Sequence, residues 1–398
     1  MSFSAAKAPG VSPEQRAGLY HFFVFGSTGI ASAYFAIWLS VRGITADEIG
    51  VISAAPVIVM LAVNVLIGRL ADKASDWRYM IIILSMIAAA GAIGLFFVSG
   101  FWGIVLIWVL AVVPAQGLVP VIDAATLRMT QRRGTSFGVV RAWGTVGYAA
   151  TAALAGPILG IFGDAAFLPL FVGFALLRAL VSLQLPRFRA PEHMEPSVAK
   201  PASRLRDVLK PWFVLPLVGL GIVYSTHGAF SAFAALFWKE QGIGEGWIGP
   251  LIAVGAAAEA AMMFVWTRLN VKASARHLIL FAALVAVFRW GAMALSPSVW
   301  VLFGLQLLHS ITFAVSYFGG IYFIANWTSE EIAAEAQGFS YVLQQGMTVV
   351  ALLGFGWFAS VFGAGAWIAL SIYTLAGAAL VLVSLRLRPT AAAGGKPA

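Results

Sequence analysis

Twelve stretches of about 20 or more mostly apolar residues follow one another along this chain, and short polar breaks separate nearly all of them. A helix needs roughly 20 apolar residues to cross the hydrocarbon layer of a membrane. Inside that layer only helices and closed barrels satisfy their own backbone polar groups. The runs fall at 17–41, 47–68, 77–98, 101–128, 136–161, 165–186, 211–238, 247–268, 277–296, 299–325, 337–361 and 364–386. The pattern predicts an all-α membrane protein of twelve transmembrane helices. Composition agrees, with 61% hydrophobic and 10% charged residues, against about 45–50% and 25% in soluble domains. No soluble core absorbs 29 Phe and 14 Trp with so few charges to cover them.

Short breaks make consecutive helices antiparallel neighbours, except across the hydrophilic stretch 187–210, which carries Arg187, Arg189, Lys200, Arg204, Arg206 and Lys210. The chain therefore divides into an N-terminal tail 1–16, a six-helix bundle 17–186, a linker 187–210, a second bundle 211–387 and a tail 388–398. Of the 25 Lys and Arg, twenty fall on the side of the termini, two (Arg42 and Lys239) on the other side, and three (Arg141, Arg178, Arg289) inside helices. Basic loops stay in the cytoplasm, so both termini are expected there, in a multi-pass protein of the cell inner membrane. The net charge of +9 is then a collar along the lipid face, not a nucleic-acid footprint. One loop dissents: 326–336 carries Glu330, Glu331 and Glu335 and no base. The first 16 residues hold no apolar core, so no cleaved signal peptide is expected.

The halves repeat. A shift of 199 residues aligns Gly43-Ile44 with Gly242-Ile243, Ile49-Gly50 with Ile248-Gly249, and Arg69-Leu70 with Arg268-Leu269; a shift of 200 pairs Gly138 with Gly338 and Gly156 with Gly356. Two parallel halves related by an axis along the membrane normal, with a binding site between them near mid-depth, are an architecture of secondary transporters.

Between helices 2 and 3 the chain reads Gly68-Arg69-Leu70-Ala71-Asp72-Lys73, which resembles the signature of the major facilitator superfamily. Helix 5 carries Phe137-Gly138-Val139-Val140-Arg141-Ala142-Trp143-Gly144-Thr145-Val146-Gly147-Tyr148, preceded by Asp123-Ala124 in helix 4. Further on come His227, Ile248-Gly249 with Glu259, Arg289-Trp290, His309 and Gln337-Gly338. Together these are similar to the phenylpropionate permease-like branch of that superfamily, near lactose permease and the nucleoside–proton symporters. The resemblance implies the major facilitator fold with two pseudo-symmetric six-helix bundles, a proton-coupled small organic substrate, and a conformational latch at Gly68, Arg69, Asp72 and Lys73.

A charge at mid-bilayer is costly, so intramembrane ionisable residues face a cavity or a partner. Asp123 and Arg141 lie nine residues either side of Arg132, taken as the centre of the helix 4–5 turn, which carries both to the same height, about 13 Å in. Arg141 offers a planar two-pronged donor to a substrate carboxylate or hydroxyl, and Asp123 neutralises it when the site is empty. Glu259 stands alone in an alanine run with no partner on its own helix, and is the expected proton carrier, with His227, Arg289 or His309 setting its affinity. Tyr34 and Tyr148 are candidate walls of a ligand slot; Asn64, Gln116, Gln344 and Gln345 are candidate ligand hydrogen-bonders or helix glue. Arg178 is expected to snorkel to the interface.

The sequence holds no Walker-type phosphate loop, no metal-ligand cluster, no Cys and no acyl-transfer constellation. The expectation is therefore a transporter and not an enzyme, working without a cofactor on a proton gradient, as a monomer whose partners are lipid, protons and a small solute such as an aromatic acid. Other readings are sugar or nucleoside symport, efflux by proton antiport (for which Gly147, Gly156-Pro157 and Gly160 partly match the antiporter glycine motif), and a non-transporting receptor or scaffold.

Overall fold

The computed structural model describes residues 11–188, 209–328 and 330–387. Residues 1–10 of the expected N-terminal tail, 189–208 of the expected linker and the whole expected C-terminal tail lie outside them. Regular structure among the described residues is helical: α1 (Pro13–Val41), α2 (Ala46–Lys73), α3 (Trp77–Gly94), α4 (Phe101–Arg133), α5 (Phe137–Phe162), α6 (Phe167–Ser182), α7 (Pro211–Glu240), α8 (Glu245–Val265), α9 (Ala275–Met293), α10 (Val299–Trp327), α11 (Glu330–Phe362) and α12 (Ala366–Arg386). Eleven described stretches are long and apolar enough to cross a membrane. The last, Glu335–Arg386, has 52 residues, far more than one crossing needs. It breaks at the 3-10 turn Gly363–Gly365, where Gly363 takes φ +54°, and so supplies α11 and α12.

Local chemistry sets the helix ends. Ser12 and Gln15 form a reciprocal capping box at the start of α1, and Thr45 and Glu48 do the same for α2. Asp76 caps α3 by accepting from the Arg78 amide at 2.9 Å, and also accepts from the Phe188 amide at 2.9 Å, which ties the chain after α6 to the α2–α3 connection.

Three boundaries differ from the sequence expectation. The Gly68–Lys73 segment is not a loop: α2 stays helical through Lys73. α11 opens at Glu330, not at 337, so the helix runs beyond the apolar stretch that marks its crossing. The α4–α5 turn lies at Gly134, in the left-handed region at φ +65°, not at Arg132. Asp123 and Arg141 thus differ in height by about four residues, roughly 6 Å, which helix tilt and the long arginine side chain absorb.

In the first half α1 packs on α5 and α6, α3 on α4 and α6, and α2 on α4. In the second, α7 packs on α11 and α12, α9 on α12 and α10, and α8 on α10. The halves meet along α2–α11, α5–α8 and α1–α7. Gly147 permits the α1–α5 contact, since a Cβ there would run into the Phe22 carbonyl. Stacked aromatics fill the core, with Phe35 on Trp108 at 3.6 Å and Trp290 on Trp367 at 5.7 Å between centroids. Large apolar side chains cover the outside, Phe97 and Phe264 each 82% exposed, as a lipid-facing surface requires.

The two halves are clamped at the end opposite the chain termini. Gly249 lies against the Ala152 carbonyl, and Gly356 faces Ala46 and Gly50. Lys239 of the second half sits 2.5 Å from Asp164 of the first and 2.6 Å from Glu245. The Tyr34 hydroxyl donates to the Glu245 carbonyl at 3.3 Å. A depression of about 590 Å³ lies over this clamp, lined by Gly156, Gly160, Asp164 and Glu245 among others. By contrast Gly68 and Gly338, toward the opposite end, have open space where a side chain would point, and Gly138 would meet only Ser136 Oγ, at 3.8 Å.

The α5–α8 contact is the steric part of the clamp. Replacing Gly249→Val should cost the clamped state roughly 1–3 kcal/mol through overpacking. The chain has no cysteine, so an Ile252→Cys reporter reads this without background. Its reaction with an impermeant thiol reagent from the clamped face should quicken about tenfold when Gly249→Val is added.

Candidate functional site

Between the halves lies a cavity of about 320 Å³, walled on one side by Phe25, Arg141, Thr145 and Tyr148 and on the other by His227, Phe230, Glu259, Gln306, His309 and Phe313, with small residues of α8 at its floor. Each wall carries a charged cluster.

The cluster of the second half is built around Arg289 of α9, which is fully buried. Its Nη2 donates to Gln306 Oε1 at 2.5 Å and its Nη1 to Thr312 Oγ1 at 3.1 Å, with His309 Nδ1 at 3.4 Å. The guanidinium lies over the Trp290 ring at 4.6 Å and the Phe230 ring at 5.1 Å. His309 Nε2 reaches Glu259 Oε2 at 3.2 Å. His227 Nε2 meets Thr312 Oγ1 at 3.0 Å, while its Nδ1 meets the Val223 carbonyl at 3.1 Å. A carbonyl only accepts, so the His227 hydrogen sits on Nδ1 and the Thr312 hydroxyl donates to Nε2. Thr312 then accepts from Arg289, Arg289 also donates to His309 Nδ1, and His309 Nε2–H donates to Glu259. One consistent set of donations thus links Arg289 through His309 to the carboxylate and through Thr312 to His227, while Arg289 Nε is left without a partner.

Helix α10 makes this convergence possible. Residues Ser310–Val315 form a π-helical segment, a widened turn that recurs at functional sites. Gln306, His309 and Thr312 are spaced by three residues, and all three bond to Arg289. Sequence reading missed Gln306 and Thr312; their regular spacing about His309 was the available signal.

The cluster of the first half is smaller. Arg141 Nε stands 3.0 Å from Asp123 Oδ1, and the guanidinium lies over the Phe25 ring at 4.0 Å. Behind Asp123, on α1, is His21, which is fully buried. Its Nδ1 lies 3.9 Å from Asp123 Oδ1 and its Nε2 meets Thr126 Oγ1 at 3.3 Å. His21 was not among the sequence candidates, because a single histidine in an apolar run shows no partner until α1 and α4 are brought together.

The remaining sequence candidates are dispersed. Tyr148 lines the cavity and bonds Ser32 at 3.0 Å. Tyr34 does not line it; it is buried at the clamp. Asn64, Gln116, Gln344 and Gln345 lie outside the cavity wall, Gln344 donating to Ser340 at 3.1 Å. Gly68, Arg69 and Lys73 end α2, the two bases exposed, and the Asp72 side chain lies outside what is described. Arg178 does not snorkel: it is 3% exposed and its Nη1 donates to Ser27 at 3.3 Å. Its flank of α6 faces α1 instead of lipid.

The profile of the MFS_1 like family matches residues 16–382. The chain is 26% identical over 370 residues to a probable 3-phenylpropionic acid transporter of Escherichia coli (strain K12), covering 90% of this chain and 94% of that one. It is 27% identical over 295 residues to a maltose permease of Geobacillus stearothermophilus, covering 72% of each. In fold it is similar to a point-mutant form of the nucleoside transporter NupG, with a TM-score of 0.83, 15% identity and coverage of 94% of this chain and 100% of that one. It is also similar to a bacterial homologue of the lysosomal transporter Spinster in an inward-facing, unoccupied conformation, with a TM-score of 0.74, 14% identity and coverage of 94% and 96%.

The Arg289 network makes a stability prediction. Gln306→Leu deletes the acceptor of Arg289 Nη2 and leaves a buried charged donor unpaired, so the purified protein should lose about 1–3 kcal/mol. Thermal unfolding in detergent checks it, with Arg141→Gln, on the cavity wall, as a comparison that should shift the midpoint less.

Proposed function

Because the chain belongs to the MFS_1 like family of the major facilitator superfamily, we propose that it takes up a small organic acid together with protons by alternating access. It is a membrane transporter and not an enzyme. The observation that carries the finer reading is the pairing of walls: a guanidinium, Arg141, faces the same cavity as a carboxylate–histidine pair, Glu259 and His309.

Substrate enters with its carboxylate on Arg141, whose planar fork matches that group, and its apolar body between Phe25, Phe230 and Phe313. A cavity of this size falls within the range of small-molecule sites. An ionised Glu259 in a sealed, low-dielectric interior is expensive. A proton taken up there removes that charge before the halves rock, and its release on the other side completes the cycle. Arg289, held by Gln306 and Thr312, fixes His309 so that its Nε2 hydrogen points at Glu259. The setting is the inner membrane with both termini in the cytoplasm. One chain supplies both walls, so a monomer suffices, and the proton gradient is the sole drive. That relatives include a protein named for 3-phenylpropionic acid supports an aromatic acid over the maltose and nucleosides named for the others.

Proteoliposomes with an inward proton gradient test this. The protein should concentrate 3-phenylpropanoate, and Glu259→Gln should abolish concentrative uptake while keeping exchange of internal for external substrate. Arg141→Gln should raise KM about tenfold or more. Accumulation by Glu259→Gln equal to the unaltered protein would remove proton coupling through this carboxylate. Saturable uptake of maltose or a nucleoside in place of the acid would move the substrate class.

A further inference from the structure

The first-half cluster contains a contact that is not made. Asp123 Oδ1 lies 3.0 Å from Arg141 Nε on one side and 3.9 Å from His21 Nδ1 on the other. Neither Asp123 Oδ1 nor His21 Nδ1 has a hydrogen-bond partner, though both atoms are shielded from solvent. Buried polar atoms are almost always satisfied, so an orphaned pair facing each other calls for a reason. His21 is fully buried and does not line the cavity, whereas Arg141 does. The carboxylate is thus held between a cation that the cavity reaches and an imidazole that it does not.

We propose that His21 is a positioning residue that takes over Asp123 when a carboxylate substrate claims Arg141. The inference rests on the reading above that Arg141 is the carboxylate receptor. Two carboxylates on one guanidinium repel each other. As the incoming acid engages the terminal nitrogens of Arg141, the hold of that side chain on Asp123 weakens, and the aspartate is left charged in a partly desolvated place. A shift of about 1 Å toward α1 brings its Oδ1 from 3.9 Å into hydrogen-bond range of His21 Nδ1. The ring is oriented for this. In this arrangement the ring hydrogen is on Nδ1, facing Asp123, and the Thr126 hydroxyl, 3.3 Å from Nε2, donates to that nitrogen, as a hydroxyl is able to do. No proton is transferred; one hydrogen bond replaces one ion pair. In the empty site Asp123 returns to Arg141 and keeps the cavity from holding a bare cation. The Thr126 hydroxyl, on the same helix as Asp123, is engaged with His21 Nε2, and Phe25 lies under the Arg141 guanidinium.

Equilibrium binding to the purified full-length protein distinguishes this from a packing role. The probes are 3-phenylpropanoate and its neutral counterpart, 3-phenylpropanamide. His21→Phe keeps the ring volume and removes both nitrogens, while His21→Asn places an amide N–H close to the position of Nδ1. The proposal expects His21→Phe to weaken 3-phenylpropanoate about tenfold, His21→Asn to stay near the unaltered protein, and both to leave the amide unchanged. Should the Phe variant not fold, Thr126→Val, which deletes only the orienting hydroxyl, should weaken the acid roughly threefold, again sparing the amide. Equal affinity of His21→Phe and the unaltered protein for the acid overturns the proposal, as does an equal loss for acid and amide. If Arg141→Gln binds 3-phenylpropanoate unchanged, the carboxylate-receptor reading itself fails. If Arg141→Gln weakens the acid and His21→Phe does not, only the role of His21 falls.

Discussion

The free-energy cost of a charge away from water governs the interior of this bundle. Each ionisable side chain in mid-helix has found a partner on another helix: Asp123 of α4 with Arg141 of α5, Glu259 of α8 with His309 of α10, Arg289 of α9 with Gln306 and Thr312 of α10, and Arg178 of α6 with Ser27 of α1. None of these pairs lies within one helix, so the polar contacts that satisfy electrostatics also specify which helices are neighbours. Apolar packing against lipid-like side chains gives no such specificity, because lipid tails compete for the same surfaces.

Close backbone approach is the second device, and it acts where the polar contacts do not. Gly147 seats α5 on α1 and Gly249 seats α8 on α5. Two of the glycines that resemble an antiporter motif in α5 have packing partners here, Gly147 at Phe22 and Gly156 at Glu245 and Tyr34, while Gly160 faces open space. Together with Lys239, which links Asp164 and Glu245, Gly156 and Gly249 join the halves at one end. An interface that is tight at one end and still able to open has to avoid large interlocking side chains. Small residues backed by a few ion pairs at the rim provide that, because such pairs are worth little individually and part readily.

The two charged clusters differ in rigidity. Around Arg289 the hydrogen-bond chain is nearly complete, anchored by a π-helical turn and two aromatic faces, and its free end is the carboxylate Glu259. Around Asp123 one bond is left unmade. Each cluster keeps an unpaired buried atom, Arg289 Nε in one and Asp123 Oδ1 in the other, but the more fully bonded wall suits a fixed donor and the less bonded one suits rearrangement about a ligand.

Membrane class, the twelve helices and the family were legible in the sequence, because hydrophobic length and turn chemistry are local properties that survive without coordinates. The Asp123–Arg141 pair could also be foreseen, since both residues belong to one helical hairpin and counting from its turn constrains their heights, even with the turn misplaced. What counting cannot supply is contact between helices far apart in the chain. Whether His309 or His227 meets Glu259, that Gln306 and Thr312 belong to the site, that Tyr34 serves the clamp and that Arg178 faces α1 all depend on helix rotation and neighbour order. His21 is the plainest case: by sequence a lone histidine among apolar residues, it acquires meaning only because α1 lies against α4 at that level. Local periodicity fixes what each helix is, while only tertiary packing decides which of its faces is in water, in lipid or against another charge.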